Sequence, residues 1–519
     1  MSKPRNVLLI TADQFRGDAL SALGHPNVRT PNLDRLAASG VHFARHYAQA
    51  SPCGPSRASL LTGLYMMNHR SVRNGTPLDA RHATLPGELR KAGLAPTLFG
   101  YTDTSLDPRE RDPSDPALKT YEGVMPGFDV GLYMSEHPKA WLAHLETQGY
   151  AIPKSGSKPW YKPDTKGSAG ADRGATWAPA FYKKEHSETT FLTDAALRHL
   201  AHPAEPWFVH VSYIKPHPPF VATAPFHDAV DPAQVSLPAR AENAATEAKL
   251  HPWLAWKLAN QSKNGWTEAG PLDPARISDR DLRQLRATYF GMIAEVDEQI
   301  GRLLGKLEAS GELDRTLVIF TSDHGELLGD HWMLGKDGWH DGAFHIPLIV
   351  RAPETPADNR GRRVTAFTEA VDVMPTILDW LGRAVPTACD GDSLMPWLKG
   401  ESPIVWRTEA AWEYDYRDIA GQIPESALLL SSDQCSLGVI RGKRFKYVHF
   451  AGLPPILYDL KKDPGELRNW ANDGGYAGVL LHYAQRMLTW RMLHADRSLS
   501  RQWLGPTGPI ERTGPRTRA

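Results

Sequence analysis

Cysteine is scarce in this chain. Cys53, Cys389 and Cys435 are the only three in 519 residues. So few, so widely spaced, exclude a disulfide framework. Long apolar runs are missing too: nothing approaches the roughly eighteen residues of a membrane span. The apolar run at 7–10 ends in Thr11-Ala12-Asp13-Gln14 and is too short for a signal peptide. An excess of either charge is also absent. Lys plus Arg number 59, Asp plus Glu number 59, and the pI is about 7.4. Neither nucleic acid nor a membrane surface is therefore an expected partner. The cytoplasm is the expected compartment.

A globular interior is affordable in size and composition, with 41% hydrophobic and 23% charged residues. Residues 6–11 form a short apolar, branched run that reads as a buried parallel strand. Thr30-Pro31 opens a helix whose inner face carries Leu33, Leu36 and Ala37, and Gly40 ends it. Further strands are predicted at 41–43, 96–99, 207–212, 317–321 and 347–351. A long amphipathic helix is predicted over 279–309, with Ser278 as its cap and Gly311 beyond its end. Strands alternating with helices predict a mostly parallel sheet covered on both faces. Residues 101–188 and 225–273 are weakly periodic and read as insertions, the second carrying Trp253, Trp256 and Trp266 as a possible lid. Past Cys389 the pattern changes. Runs at 437–440 and 445–450 around Arg441-Gly442-Lys443-Arg444 predict a hairpin. The expected organisation is a catalytic α/β domain over 1–385 and a C-terminal subdomain over 386–519. The latter holds a small antiparallel sheet and a terminal arm from Arg497.

One cysteine has unusual neighbours. Cys53-Gly54-Pro55-Ser56-Arg57 spells C-x-P-x-R and runs on through Ala58-Ser59-Leu60-Leu61-Thr62-Gly63. The sequence predicts Cys53 in a loop, with a short helix over about 56–61. Such a position near a helix N-terminus favours an anion. A lone cysteine is ordinarily an inert core residue, so the reading depends on what else the chain brings.

Two acidic motifs follow predicted strands. Asp13-Gln14 ends the first, and Asp323-His324-Gly325-Glu326 follows 317–321. Ligands of open α/β sheets gather at the carboxyl ends of strands. Two carboxylates, an amide oxygen and an imidazole are thus poised to share one divalent ion. Oxygen-rich ligation suits Ca(II), Mg(II) or Mn(II), and the histidine shifts the balance toward Mn(II). Mn or Ca is the expected ion.

These strings together resemble the sulfatase branch of the alkaline phosphatase superfamily over almost the whole chain. Thr30-Pro31-Asn32-Leu33-Asp34-Arg35-Leu36-Ala37, Asp372-Val373-Met374-Pro375-Thr376 and Leu457-Tyr458-Asp459-Leu460 with Asp463-Pro464 belong to the same style. The resemblance implies a three-layer sandwich around a mostly parallel sheet. It also implies that a formylglycine-generating enzyme oxidises Cys53 to an aldehyde, which hydrates to a diol. One diol oxygen binds the metal, so Cys53 counts among the metal ligands, and attacks sulfur or phosphorus. The other then loses its proton, the covalent ester collapses, and the aldehyde returns. Arg57 would stabilise the deprotonated diol.

Departures from the arylsulfatase pattern narrow the resemblance. Gln14 stands where those enzymes usually have Asp, and His324 where they usually have Asn. Gly100-Tyr101-Thr102-Asp103 replaces a Gly-Lys-x-His string. With Met67-Asn68-His69-Arg70 and Arg73-Asn74-Gly75-Thr76-Pro77-Leu78-Asp79, the chain is more similar to phosphonate monoester hydrolases, which also cleave phosphodiesters. By that resemblance Asn74 and Tyr101, assisted by Thr104, bind the non-bridging oxygens. His217, in Lys215-Pro216-His217-Pro218, lies near the leaving oxygen as acid or electrostatic aid. Lys336, in Leu334-Gly335-Lys336-Asp337, neutralises the same region. The substrate is then a small-molecule ester and the protein a homo-oligomer, tetramer or dimer. Two other readings stay open: a sulfatase for aryl or choline-type sulfate esters, and a silent metal-binding protein with Cys53 unmodified.

Overall fold

The computed structural model describes residues 5–109, 111–165 and 173–511. Eight strands form the central sheet: β1 Asn6–Ala12, β2 Val41–Phe43, β3 Pro96–Gly100, β4 Asp129–Tyr133, β5 Phe208–Tyr213, β6 Thr316–Thr321, β7 Leu348–Arg351 and β8 Arg362–Val364. Their order is β8-β2-β7-β6-β1-β5-β3-β4. Only β7 runs against its neighbours β2 and β6, and all other pairs are parallel. β1 and β6 lie at the centre and are buried along their whole length. That is why they read as continuous apolar runs rather than as alternating ones. Their carboxyl ends lie side by side, with Thr11 opposite Thr321.

Five helices matter for the site: α1 Pro31–Ser39, α2 Cys53–Thr62, α3 Glu188–His199, α4 Asp279–Ala309 and α5 Ala477–Leu493. The long α4 begins at the predicted cap, where the Ser278 hydroxyl accepts from the Asp281 amide at 3.1 Å. It reaches under two strand ends. The Tyr289 hydroxyl donates to the Gln14 carbonyl at 2.8 Å and accepts from the Arg16 amide at 2.9 Å. Glu295 holds Lys215 at 2.9 Å, both fully buried.

Two expectations needed correction. Cys53 is not in a loop: it is the first residue of α2, which runs for ten residues. Pro55 misleads here, because a proline in the first helical turn loses no hydrogen bond and its fixed φ suits the helix. The stretch 101–188 is more than an insertion, since Asp129–Tyr133 adds the edge strand β4 to the main sheet. As an edge strand it is largely exposed, so it carries little apolar signal.

Beyond the main sheet, β9 Ala410–Asp415, β10 Ser436–Arg441, β11 Phe445–Phe450 and β12 Ile456–Asp459 form an antiparallel meander. The predicted hairpin is β10–β11. α5 packs across it through Tyr483 and Met487. Trp253 of the second insertion is fully buried, its ring 5.1 Å from that of Trp339 and 6.1 Å from that of Tyr414. Strands Gln502–Gly505 and Gly508–Glu511 form a terminal hairpin. The rest of the expected arm, 512–519, lies outside the described residues. No helix among the described residues is long and apolar enough to cross a membrane.

Candidate active site

The site forms where β1, β6 and β3 end and α2 begins. The chain leaves β1 at Asp13 and turns at once through Gln14, whose φ of 65° is left-handed. It leaves β6 toward Asp323 and His324. Asp13, Gln14, Asp323 and His324 are all 0–1% exposed. One ligand atom each from Asp13, Cys53, Asp323 and His324 lies within 4.8 Å of the others. The Gln14 amide belongs to the same cluster, because Lys336 Nζ lies 2.9 Å from its Oε1 and 3.0 Å from Cys53 Sγ.

The donor set fits a divalent ion. His324 Nδ1 lies 3.0 Å from the Gly325 carbonyl, which can only accept, so the proton sits on Nδ1. Nε2 then turns its lone pair into the centre, 3.2 Å from Cys53 Sγ, 3.6 Å from Asp13 Oδ1 and 3.7 Å from Asp323 Oδ2. Burial pulls the His324 imidazole below its ordinary range, which keeps that lone pair free. Burial would raise the Asp13 carboxyl, but His217, Lys336, His324 and Arg57 together hold it well below the carboxylate range. A neutral imidazole and an ionised carboxylate facing each other are the states a metal ligand requires.

Arg57 lies one turn into α2 from Cys53 and is 2% exposed. It donates Nε to Asp323 Oδ2 at 3.0 Å and Nη2 to Asp13 Oδ2 at 3.2 Å. Its Nη1 donates to the Tyr101 carbonyl at 3.0 Å and to Ser212 Oγ at 2.8 Å. The guanidinium also stacks on the Tyr101 ring at 4.2 Å. The fork geometry of arginine allows this simultaneous tie, and lysine could not make it. Burial and the Asp13 charge push the Cys53 thiol up, so the unmodified residue is a neutral thiol and a poor nucleophile.

The expected substrate-binding residues are arranged unequally. Tyr101 follows β3, and its hydroxyl donates to Asp13 Oδ2. Gly100 makes that turn possible, since a Cβ there would fall 2.3 Å from the Ser212 carbonyl. Asn74 Oδ1 accepts from the Gly54 amide at 2.9 Å, leaving the Asn74 NH2 as the end available to a substrate oxygen. Gly54 is similarly constrained, because a Cβ would come within 3.0 Å of Asn74 Oδ1 and the Asp103 carbonyl. The Thr104 hydroxyl pairs with Thr102 Oγ1 at 3.1 Å, and Thr104 lines a cavity of about 570 Å³ with Leu78, Asp79 and His82. His217 Nδ1 lies 2.6 Å from the Pro218 carbonyl, so its proton is on Nδ1 and Nε2 is free. Burial and the Lys336 charge draw His217 down to about 4.

Two acidic residues were not singled out from the sequence. Asp103, with φ 48°, is 6% exposed, and burial plus Asp13 and Asp323 carry its carboxyl up to about 8 against the pull of Arg57. Its place in Gly100-Tyr101-Thr102-Asp103 was the available signal. Glu326 is fully buried and accepts from Gln14 Nε2. A second group of ligand-type side chains, His331, His340 and Glu466, lies elsewhere in the fold. There the imidazoles stack at 3.4 Å, and Lys446 already neutralises Glu466 at 2.6 Å, so the group closes on itself.

Comparison with known proteins agrees with this geometry. The Sulfatase family model matches residues 5–383, and the model of the C-terminal part of N-sulphoglucosamine sulphohydrolase matches 329–492. The multifunctional alkaline phosphatase superfamily protein PehA of Trinickia caryophylli is 43% identical over 513 residues, covering 97% of this chain and 98% of that protein. The crystal structure of the phosphonate monoester hydrolase of Agrobacterium radiobacter superposes with a TM-score of 0.94 at 47% identity, covering 98% of this chain and 100% of that one. The phosphonate monoester hydrolase of Silicibacter pomeroyi superposes with a TM-score of 0.91 at 41% identity, covering 98% and 99%. With that extent of match, the chain belongs to the sulfatase family of the alkaline phosphatase superfamily.

Proposed function

We propose that this chain hydrolyses phosphonate monoesters and phosphodiesters, and sulfate esters more weakly, with formylglycine made from Cys53 as nucleophile. The observation that carries the reading is the convergence of Asp13, Asp323 and His324 with Cys53 Sγ, with Lys336 3.0 Å from that sulfur and 2.9 Å from Gln14 Oε1. The similarity to two phosphonate monoester hydrolases supports it further. Asp13, Gln14, Asp323, His324 and the modified residue 53 would hold one divalent ion, Mn or Ca, which supplies Lewis-acid charge and lowers the pKa of a bound hydroxyl.

The chain's own residues divide the remaining work. Arg57 has its N–H groups committed to Asp13, Asp323, Tyr101 and Ser212, so it fixes the centre rather than gripping substrate. Asn74 offers a neutral donor where a lysine would offer charge, which suits a singly charged ester carrying two organic groups; Tyr101 joins it only where its hydroxyl turns from Asp13 to the substrate. Lys336 neutralises charge at the reacting group. His217 receives or returns the leaving-group proton at Nε2.

Three accompanying readings are ours as well. The chain divides at 385/386, it works in the cytoplasm, where unpaired cysteines are the rule, and it is a homo-oligomer. Exposed Leu488 and Met492 on α5, Leu499 in the turn after it, and Trp503, Leu504 and Ile510 on the terminal hairpin favour a second copy as their cover. Sedimentation of the full chain reads this directly, and a monomer at micromolar concentration would refute it.

The functional test compares kcat/KM on a phenylphosphonate monoester, a phosphodiester and an aryl sulfate with one shared nitrophenol leaving group. The protein is Mn(II)-loaded, with Cys53→Ala beside it. The phosphonate or diester should lead, and the variant should be inactive. An aryl sulfate leading by orders of magnitude would make the protein a sulfatase. An unmodified thiol on a peptide from protein made with the modifying enzyme would favour the silent reading.

A further inference from the structure

Glu326 is a carboxylate that touches the centre from behind, through Gln14. It follows His324 by two residues, is 0% exposed, and lies beyond Gln14 as seen from Cys53. Its Oε1 accepts from the Leu328 amide at 2.9 Å and the Gly335 amide at 2.6 Å. Backbone N–H groups only donate, so Oε1 is an acceptor whatever else changes. Its Oε2 accepts from Gln14 Nε2. A side-chain amide has one donating and one accepting end. With Nε2 committed to Glu326, Gln14 Oε1 faces the other way, where Lys336 Nζ meets it at 2.9 Å. Gly335, held by the same carboxylate, is the residue before Lys336. Glu326 therefore touches both the polarity of the Gln14 amide and the loop that delivers the lysine.

We propose that Glu326 is a positioning residue that decides which end of the Gln14 amide faces the metal centre. This rests on the reading of Asp13, Gln14, Asp323 and His324 as metal ligands. An amide that turned by 180° would present NH2 to a cation and to an ammonium group, and neither accepts it. The carboxylate does for Gln14 what an outer carboxylate does for a ligating histidine: it fixes the orientation of a ligand that has two chemically different ends.

The arrangement makes a prediction that a merely structural role does not. In Glu326→Gln the new amide must still accept from Leu328 and Gly335, so its NH2 points at the Gln14 NH2. Gln14 then turns, and Mn(II) affinity falls by about 10- to 100-fold. In Gln14→Glu two carboxylates abut, and affinity falls similarly. In the double exchange, Gln14→Glu with Glu326→Gln, the amide of residue 326 donates to the carboxylate of residue 14. The pair keeps its total charge and again turns an oxygen toward the centre. Affinity should return to within about threefold of the parent, where independent losses would multiply. The measurement is titration of chelator-stripped full-length protein with Mn(II), free ion read by electron paramagnetic resonance, beside a thermal melt of each variant.

An unchanged affinity in Glu326→Gln overturns the proposal, and so does a double exchange whose losses multiply. Asp323→Ala separates the two readings. If it abolishes Mn(II) binding while Glu326→Gln does not, only the role of Glu326 falls. If it leaves binding intact, the ion is not held here, and the metal reading falls with the proposal.

Discussion

His217 shows how much a single side chain's surroundings decide. Its proton is pinned on Nδ1 by the Pro218 carbonyl, and burial beside Lys336 holds it near 4. At neutral pH it is an imidazole with a free Nε2, so it must take up a proton with the arriving anion before it can act as an acid. A nitrophenolate leaves without help, whereas an alkoxide does not. His217→Ala should lower kcat/KM by about 10²- to 10³-fold on an alkyl ester and far less on the nitrophenyl ester. Equal losses on both would give His217 a purely electrostatic or structural part. The sequence could indicate His217 because it follows a strand end. It could also indicate Asp13, Gln14, Cys53, Arg57, Asp323 and His324, since each sits in a short string next to a strand or helix boundary. It could not assign Glu326, whose partner Gln14 lies 312 positions away. Nor could it show that the Thr104 hydroxyl pairs with that of Thr102, a bond set by the local turn of the chain.

At the scale of the element, α2 is unusual in that every one of its ten residues is buried. Its outer contact is made by His69, whose Nε2 lies 3.0 Å from Ser59 Oγ while Nδ1 accepts from the Ser71 amide at 3.1 Å. A second proton would have to enter at Nδ1, against an N–H. Burial, with His82 and Arg70 nearby, accordingly draws His69 down to about 3. The unfolded chain protonates this residue below about 6.5. The folded chain does not until far lower, so the stability His69 contributes at neutral pH is lost progressively as pH falls from about 6.5 toward 3. Melting temperatures between pH 7 and 5 should therefore drop less steeply in His69→Gln than in the parent. Parallel slopes would show that the residue does not titrate as described. Helix α4 was fully legible because its apolar stripe repeats over 31 residues between a capping serine and a glycine with φ 71°. The start of α2 was not, since its first turn is Cys-Gly-Pro, three residues that argue for a loop everywhere except at a helix N-terminus. Edge strand β4 was lost because exposure removes the alternation that marks a half-buried strand.

Across the whole molecule, the proposed boundary at 385/386 is crossed by shared interior. One continuous apolar core takes in Val7 and Leu9 of β1, Met374 and Ile377, and Trp412, Val439 and Tyr458 of the smaller sheet. The polar ties cross it as well. Arg407 is bound to Asp372, and Asn68 donates to Asp390 at 2.7 Å. His340 bonds Glu466 at 2.9 Å, and Lys446 reaches both Glu466 and Asp341. Change of composition after Cys389 marked the second sheet in the sequence, but nothing there revealed that it shares one core with Ala58, Leu60 and Leu61 of α2, the helix that Cys53 begins. That enclosure dictates an order of events in the cell. On the function proposed above, an enzyme that oxidises Cys53 needs the C-x-P-x-R stretch within its reach. The folded chain does not offer it, because Cys53 is 4% exposed at the start of a buried helix. The proposed conversion is therefore expected while the chain is still open, and the modified fraction should depend on how fast the chain folds. Folded, unmodified protein incubated with the modifying enzyme should yield no aldehyde by mass, whereas the same chain presented unfolded should. On that reading, a chain that folds first keeps its thiol for good.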